Sequence, residues 1–299
     1  MKPVTKAVIP VAGLGARFLP ATKSVPKEML PVVDKPLIQY AVDEARAAGI
    51  KDFVFVTGRG KTAIEDYFDH AYELEAVLKE RGKLRELSTL DDTMLGEGRI
   101  GYTRQQVPLG LGHAVLCARD FIGDEPFAVI LPDDLMHGGR PCLQQMAEAH
   151  AEVGGNLVAV MNVPRDQTNR YGIVDPGTET GAMVEVRGLV EKPAPDEAPS
   201  TLSVVGRYIL DPAVFDHLAR REKGAGGEIQ LTDALAHLIG RMPFNGYRFE
   251  GTRYDCGDKV GYLMANVALA LERPDLGPGL EAFLKTLDLG AAEEKRKCG

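Results

Sequence analysis

The 299-residue chain is 44% hydrophobic and 26% charged, an ordinary globular composition that excludes a disordered or fibrous chain. A formal net charge of -8 leaves no excess of cations to displace counterions from a polyanion, which excludes a sequence-independent nucleic-acid binder and makes any phosphate affinity local. No apolar run approaches the roughly 20 residues that span a bilayer, no signal pattern opens the chain, and Cys117, Cys142, Cys256 and Cys298 lack ligand or redox spacing. A cytoplasmic protein is expected, with reduced thiols, no structural zinc, no membrane partner and no nucleic-acid partner.

The first apolar run, residues 6–11, predicts a buried strand that breaks at Gly13 and Gly15 and presents Arg17, so bare backbone N–H groups and a guanidinium meet at a strand end. Lys23 and Lys27 follow on a loop stiffened by Pro20, Pro26, Pro31 and Pro36, an arrangement suited to a polyphosphate. Leu37, Ile38, Ala41, Val42, Ala45 and Ala48 recur at helical spacing up to a Gly49 stop, and residues 52–57 predict a second buried strand. That order implies a right-handed crossover and a parallel sheet with helices on its faces.

Gly58-Arg59-Gly60-Lys61-Thr62 mimics a nucleotide P-loop, but Phe55 occupies the position of that motif's first glycine. A helix start carrying a solvated lysine is expected instead. Residues 63–87 predict one amphipathic helix with Ile64, Tyr67, Phe68, Leu74, Val77 and Leu78 in the core. After a third strand at 100–105, an amide precedes Gly110 and Gly112, and such an amide can read a nucleobase edge; His113 reads as part of the first helical turn, not as a metal ligand.

Residues 127–131 form the clearest buried strand and end in Pro132-Asp133-Asp134, at the strand end where open α/β sheets bind ligands. Carboxylates beside a phosphate site imply a divalent cation, since Mg²⁺ takes one or two carboxylates plus phosphate oxygens. A fifth strand at 156–163 is followed by three turn-linked strands, 171–177, 183–191 and 202–210, expected to form a substrate-side extension on the same sheet. Strand alternation at Glu191-Lys192 lets Glu191 accept from hydroxyls and Lys192 donate to a phosphate. Helices are expected at 213–220, from 228 through Ile239, at 259–271 and at 279–289, with a strand at 244–250 and a charged tail at 293–297. The carboxylates of Tyr254-Asp255-Cys256-Gly257-Asp258 offer a second metal ligand.

Gly13-Leu14-Gly15-Ala16-Arg17 with Pro26-Lys27-Glu28-Met29-Leu30-Pro31 resembles the signature of sugar-phosphate nucleotidylyltransferases. The resemblance continues in order through Gly110-Leu111-Gly112-His113-Ala114-Val115, Leu131-Pro132-Asp133-Asp134, Val190-Glu191-Lys192-Pro193, Val205-Gly206-Arg207-Tyr208 and Gly227-Glu228-Ile229-Gln230-Leu231-Thr232-Asp233-Ala234. Ala12 stands where many members have glycine, as in the uridylyl branch, and Ala16 replaces a common threonine, which leaves that side chain's role open but not the backbone cradle.

The resemblance implies a Rossmann-like three-layer α/β/α sandwich with a mixed, mainly parallel sheet and a smaller β-containing sugar-side extension. It divides the chain into a catalytic domain over 1–271 and a C-terminal helix and tail over 272–299. It implies that UTP and α-D-glucose 1-phosphate become UDP-glucose and pyrophosphate, with Mg²⁺ as cofactor, in a homodimer or homotetramer. Ala12, Gly13, Leu14, Gly15 and Gln105 would hold the nucleotide, with Gly110 near the base, and Arg17 and Lys27 would bind the triphosphate. Asp133 and Asp255 would hold the metal, Asp258 being the alternative on the same turn. Gly172 and Glu191 would bind glucose hydroxyls, and Lys192 its phosphate. A dTTP-dependent thymidylyl branch and a non-catalytic homologue are the alternatives. A dinucleotide oxidoreductase would need an acid at the end of the second strand, where Thr57-Gly58-Arg59 stands.

Overall fold

Strands apolar on both sides need cover on both faces, and that requirement arranges this molecule. The computed structural model describes residues 2–288. In chain order its strands are β1 Lys6–Pro10, β2 Pro31–Val32, β3 Lys35–Pro36, β4 Asp52–Thr57, β5 Ile100–Arg104, β6 Phe127–Ile130, β7 Asp134–His137, β8 Asn156–Asn162, β9 Gly172–Thr180, β10 Met183–Glu191, β11 Leu202–Leu210, β12 Phe244–Arg248 and β13 Thr252–Asp255. Nine of them form one sheet in the order β5-β4-β1-β6-β11-β8-β12-β10-β9, while β2–β3 and β7–β13 are separate pairs. Neighbours from β5 to β6 are parallel, as are β8 and β12, whereas β11 and β10 run against their neighbours.

Side-chain alternation splits the core in two. Val8, Val54, Val56 and Val129 face one layer, and Ala7, Ile9, Phe53, Phe55 and Ile130 the other. Helices Leu111–Leu116, Val214–Leu218 and Leu231–Ala236 cover the first face through Val115, Phe215 and Leu235. Helices Leu37–Ala47 and Cys142–Val153 cover the second through Ile38, Val42, Leu143 and Met146. The expected three-layer α/β/α sandwich is present. A smaller cluster, Val32, Leu37, Leu135, Cys256, Ala265 and Leu269, seats helix Lys259–Glu272 beside β2 and β13.

Several local expectations differ. β11 belongs to the middle of the sheet, not to an edge extension: it lies between β6 and β8 with every residue buried, its apolar residues feeding both core layers, Val204 and Tyr208 on one face and Val205 and Ile209 on the other. Residues 63–87 form three helices, Thr62–Tyr67, Tyr72–Glu80 and Leu84–Asp91. Asp69 Oδ1 accepts from the His70 N–H at 2.8 Å at the first break, and Gly82 adopts φ 66° at the second. Ile64 and Phe68 are core residues, but Leu74 and Val77 are exposed. The last described helix is Gly277–Lys285; Leu289, the 293–297 tail and Cys298 lie outside the described residues. Cys117, Cys142 and Cys256 are free, and no described helix is long and apolar enough to cross a membrane.

One buried polar assembly ties the layers together. Arg207 on β11, 1% exposed, donates from Nε to both Glu44 oxygens at 3.0 and 3.1 Å and from Nη2 to Glu44 Oε2 at 2.7 Å. Its Nη1 donates to Leu131 O and Gly206 O, each at 3.0 Å, and Glu44 also accepts from the Leu143 N–H at 2.9 Å. Removing one member leaves a buried charge without its partner. Arg207→Met is therefore expected to lower the unfolding free energy by about 3–5 kcal/mol, measured by urea denaturation, with partial recovery in the double variant Glu44→Leu/Arg207→Met.

Candidate active site

At the carboxyl edge of β1 and β6 the chain leaves the sheet, and two cavities open side by side. The first, about 650 Å³, is lined among others by Ala12, Gly13, Leu14, Gly15, Arg17, Lys27, Gln105, Gly110 and Asp133. The second, about 420 Å³, includes Gly172, Glu191, Lys192, Arg253 and Asp255. Arg17, Leu111, Leu131, Asp133 and Glu228 line both, so the cavities meet along a common wall. The residues assigned from the resemblance to nucleotide, sugar and metal line these two cavities, whereas Lys23, on the same proline-framed loop as Lys27, lines a neighbouring one.

In the first cavity, Gly15 has φ 67°, and a Cβ there would sit 3.2 Å from Thr22 Cβ and 3.3 Å from Lys27 Cβ. The glycine loop is thus laid directly against the lysine-bearing loop, and Thr22 Oγ1 donates to Gly15 O at 2.7 Å. Lys27 Nζ donates to Asp133 Oδ2 at 2.5 Å, and Arg17 Nη1 to Gly257 O at 3.4 Å. Burial opposes the charge of Lys27, but Asp133 and Glu28 outweigh it and hold its pKa above the ordinary value. Burial likewise pushes Asp133 up, and the Lys27 ammonium reverses this, holding the carboxyl below the usual range. At the far end, Gly110 takes φ 104°, where a Cβ would lie 2.8 Å from Glu228 Cβ, and the Gly112 N–H donates to Ile229 O at 2.9 Å. These glycines permit the 109–112 turn to lie against the 228–230 segment.

In the second cavity, Gly172 lies beside Glu191 Oε2 and Thr232 Oγ1, which a Cβ would approach to 3.2 and 3.0 Å. Lys192 Nζ turns back to Glu191 Oε1 at 3.2 Å. Alternation within a strand does not place this pair: β10 ends at Glu191, and Lys192 adopts φ 49° with its N–H bonded to Tyr171 O at 2.9 Å. Asp255 Oδ2 is paired with Arg170 at 3.2 Å and lies 3.7 Å from Arg253.

The two adjacent aspartates after β6 part company. Asp133 lines both cavities, while Asp134 is buried at the wall of the second, accepts from the Gly206 N–H at 2.9 Å and from Arg253 Nε at 2.6 Å. A Cβ on Gly257 would sit 2.9 Å from Asp133 Oδ2 and 3.1 Å from Asp255 Oδ1, so these oxygens converge on a space that only glycine leaves open. Asp258 is instead the N-cap of helix Lys259–Glu272, accepting from the Val260 N–H at 2.9 Å. Among the described residues no cluster of three or more His, Cys, Asp or Glu is disposed to hold a metal. Two converging carboxylates fit a magnesium ion whose remaining ligands are phosphate oxygens and water.

Residues 6–272 match the model of a family described as nucleotidyl transferase. The chain belongs to the nucleotidyl transferase family. It is 57% identical over 260 residues to the UTP–glucose-1-phosphate uridylyltransferase of Komagataeibacter xylinus, a match covering 87% of this chain and 92% of that one. Among solved structures it is similar to the UTP-bound UGPase from Acinetobacter baumannii, with TM-score 0.88, 42% identity, and 95% and 100% of the two chains covered. It is also similar to a UDP-glucose pyrophosphorylase complexed with UDP-glucose, with TM-score 0.81, 42% identity, and 90% and 100% covered.

Within this nucleotidyl transferase, several residues at the cleft carry no separate signal in the sequence. Lys61, expected to be solvated, is buried and pairs with the equally buried Glu28 at 2.8 Å. The turn carrying Lys27 is therefore anchored from behind by a charge pair between two loops far apart in sequence. Arg170, Arg253 and Thr232 enter through tertiary packing; Arg170 and Arg253 directly precede the Tyr171-Gly172 and Tyr254-Asp255 stretches and stand over the Tyr171 ring at 5.9 and 5.3 Å. Gly257→Ala is expected to fill the space between Asp133 and Asp255 and to cut nucleotidyl transfer at least about tenfold with little change in melting temperature. Asp258→Ala should instead cost about 1 kcal/mol of stability through the lost cap and leave turnover near normal, as thermal unfolding and the same assay would establish.

Proposed function

We propose that this nucleotidyl transferase joins UTP and α-D-glucose 1-phosphate to give UDP-glucose and pyrophosphate. The observation that carries the reading is the common wall: Asp133 and Arg17 line both a glycine-loop cavity bearing Lys27 and Gln105 and a second cavity bearing Gly172, Glu191 and Lys192. The relatives above, named for UTP, UDP-glucose and glucose 1-phosphate, support the same substrates.

The chemistry is in-line attack of a glucose 1-phosphate oxygen on the α-phosphorus of UTP. A phosphate monoester has its second pKa near about 6, so the nucleophile is already largely a dianion at neutral pH and no general base is required. The obstacle is repulsion between anions. Arg17 and Lys27 offset charge on the triphosphate and on departing pyrophosphate, and Lys192 holds the attacking phosphate. Gly172 lets the sugar approach the backbone, while Glu191 accepts from its hydroxyls. Ala12 to Gly15 and Gln105 hold the nucleotide, with Gly110 beside the base. Asp133 and Asp255 would hold Mg²⁺, which would supply further charge neutralisation to the phosphates.

A catalytic unit over 1–271, a C-terminal appendage over 272–299 and a cytoplasmic location complete the reading. Val260, Leu263, Met264 and Val267 form an exposed apolar stripe on helix Lys259–Glu272 at helical spacing, which supports a homodimer or homotetramer.

Purified protein supplied with glucose 1-phosphate, Mg²⁺ and a nucleotide panel should release pyrophosphate fastest with UTP and stop when EDTA is added. Faster turnover with dTTP would favour the thymidylyl branch, and no release with any nucleotide would favour a non-catalytic homologue. Lys27→Ala and Asp133→Ala should each lower turnover by about 10²–10³ while circular dichroism stays native, and near-normal rates in either would count against this site.

A further inference from the structure

Building on the proposed uridylyl transfer, the geometry points to His113 as the positioning residue that selects the nucleobase, by fixing which end of the Gln105 amide faces the cleft. Gln105 Nε2 lies 3.0 Å from Gly110 O and 3.0 Å from His113 Nδ1. An amide nitrogen carries two hydrogens, and a carbonyl oxygen only accepts, so one hydrogen is committed to Gly110. The other points at His113 Nδ1, which accepts it when the imidazole proton sits on Nε2. Burial and the nearby Arg221 lower the pKa of His113 below its ordinary value, which favours the neutral ring this bond needs.

With both hydrogens used, the Gln105 carbonyl has no protein donor among the described residues, and Gln105 lines the nucleotide cavity. The amide therefore offers the base an acceptor. Uracil presents an N–H at N3 and makes a hydrogen bond to it. Cytosine presents a lone pair at N3 and is repelled. Removing the His113 acceptor would leave one amide hydrogen unpaired and let the side chain turn over, so that the amide could offer its oxygen to uracil N3–H or its nitrogen to the lone pair of cytosine N3. Both acceptors belong to one turn: Gly110 precedes helix Leu111–Leu116, His113 lies in its first turn, and the Gly112 N–H bond to Ile229 O seats that turn.

The test compares kcat/KM for UTP and CTP, with glucose 1-phosphate and Mg²⁺, in the full chain and two variants. His113→Leu should reduce the preference for UTP over CTP about tenfold or more, whereas His113→Asn, whose carbonyl can accept the same N–H, should keep it within about threefold. In the unsubstituted protein, ¹⁵N NMR of the imidazole at neutral pH should show the proton on Nε2 and a bare Nδ1. An unchanged preference in a folded His113→Leu variant, or a proton on Nδ1, overturns the inference; should that variant fail to fold, the tautomer decides. An unsubstituted enzyme that does not prefer UTP over CTP sinks the uridylyl reading and the inference with it, while one that prefers UTP separates the two.

Discussion

The cleft depends on a guanidinium that never reaches it. Arg207 sits inside the sheet with its charge matched by Glu44 and its remaining donors spent on the carbonyls of Leu131 and Gly206. A desolvated charge tolerates almost no displacement of its partners, because each lost bond exposes an uncompensated pole. Helix Leu37–Ala47, strand β11 and the end of β6 are thereby held in mutual register. Asp133 and Asp134 issue from that end, one toward the cleft and the other into the packing with Arg253.

A second constraint lies at the surface of the cleft. Lys27 and Asp133 neutralise each other at 2.5 Å, while Asp255 is occupied by Arg170. The site thus holds opposite charges in close contact, without a large unbalanced field, although the chain as a whole is acidic. The constellation is held in place before any ligand arrives, and on the proposed roles Lys27 would exchange Asp133 for phosphate oxygens as ligands bind. The buried Glu28–Lys61 pair serves the same end by fixing the turn on which Lys27 stands.

Much of this was legible in the sequence where a local pattern has a local cause. The runs at 6–11, 52–57 and 127–131 announced buried strands, and Gly15 and Gly110 marked backbone that must bend sharply or be approached closely. Legibility failed where the cause is tertiary. A strand buried on both faces, such as β11, does not reveal its neighbours, so its central place could not be read from its own residues. Leu74 and Val77 look like core in a helical period, yet the break after Phe68 turns them outward. Lys61 looked solvated because its partner, Glu28, lies on another loop, and Asp258 resembled Asp255 until the helix it caps was visible. Glu191 and Lys192 did meet, but through a left-handed backbone at Lys192 and not through strand alternation.

The common wall between the two cavities has a consequence for how such a protein can diversify. Arg17, Leu111, Leu131, Asp133 and Glu228 are presented to both chambers, so any change in them alters two recognition problems at once. The outer walls are separable: Gln105 and Gly110 belong to one chamber alone, Gly172, Glu191 and Thr232 to the other. Each outer wall can therefore drift toward a new ligand without disturbing its counterpart, as long as the partition between them stays as it is. The molecule is in this sense modular at its rims and indivisible along its middle, a division of evolutionary freedom imposed by the geometry of a single row of side chains.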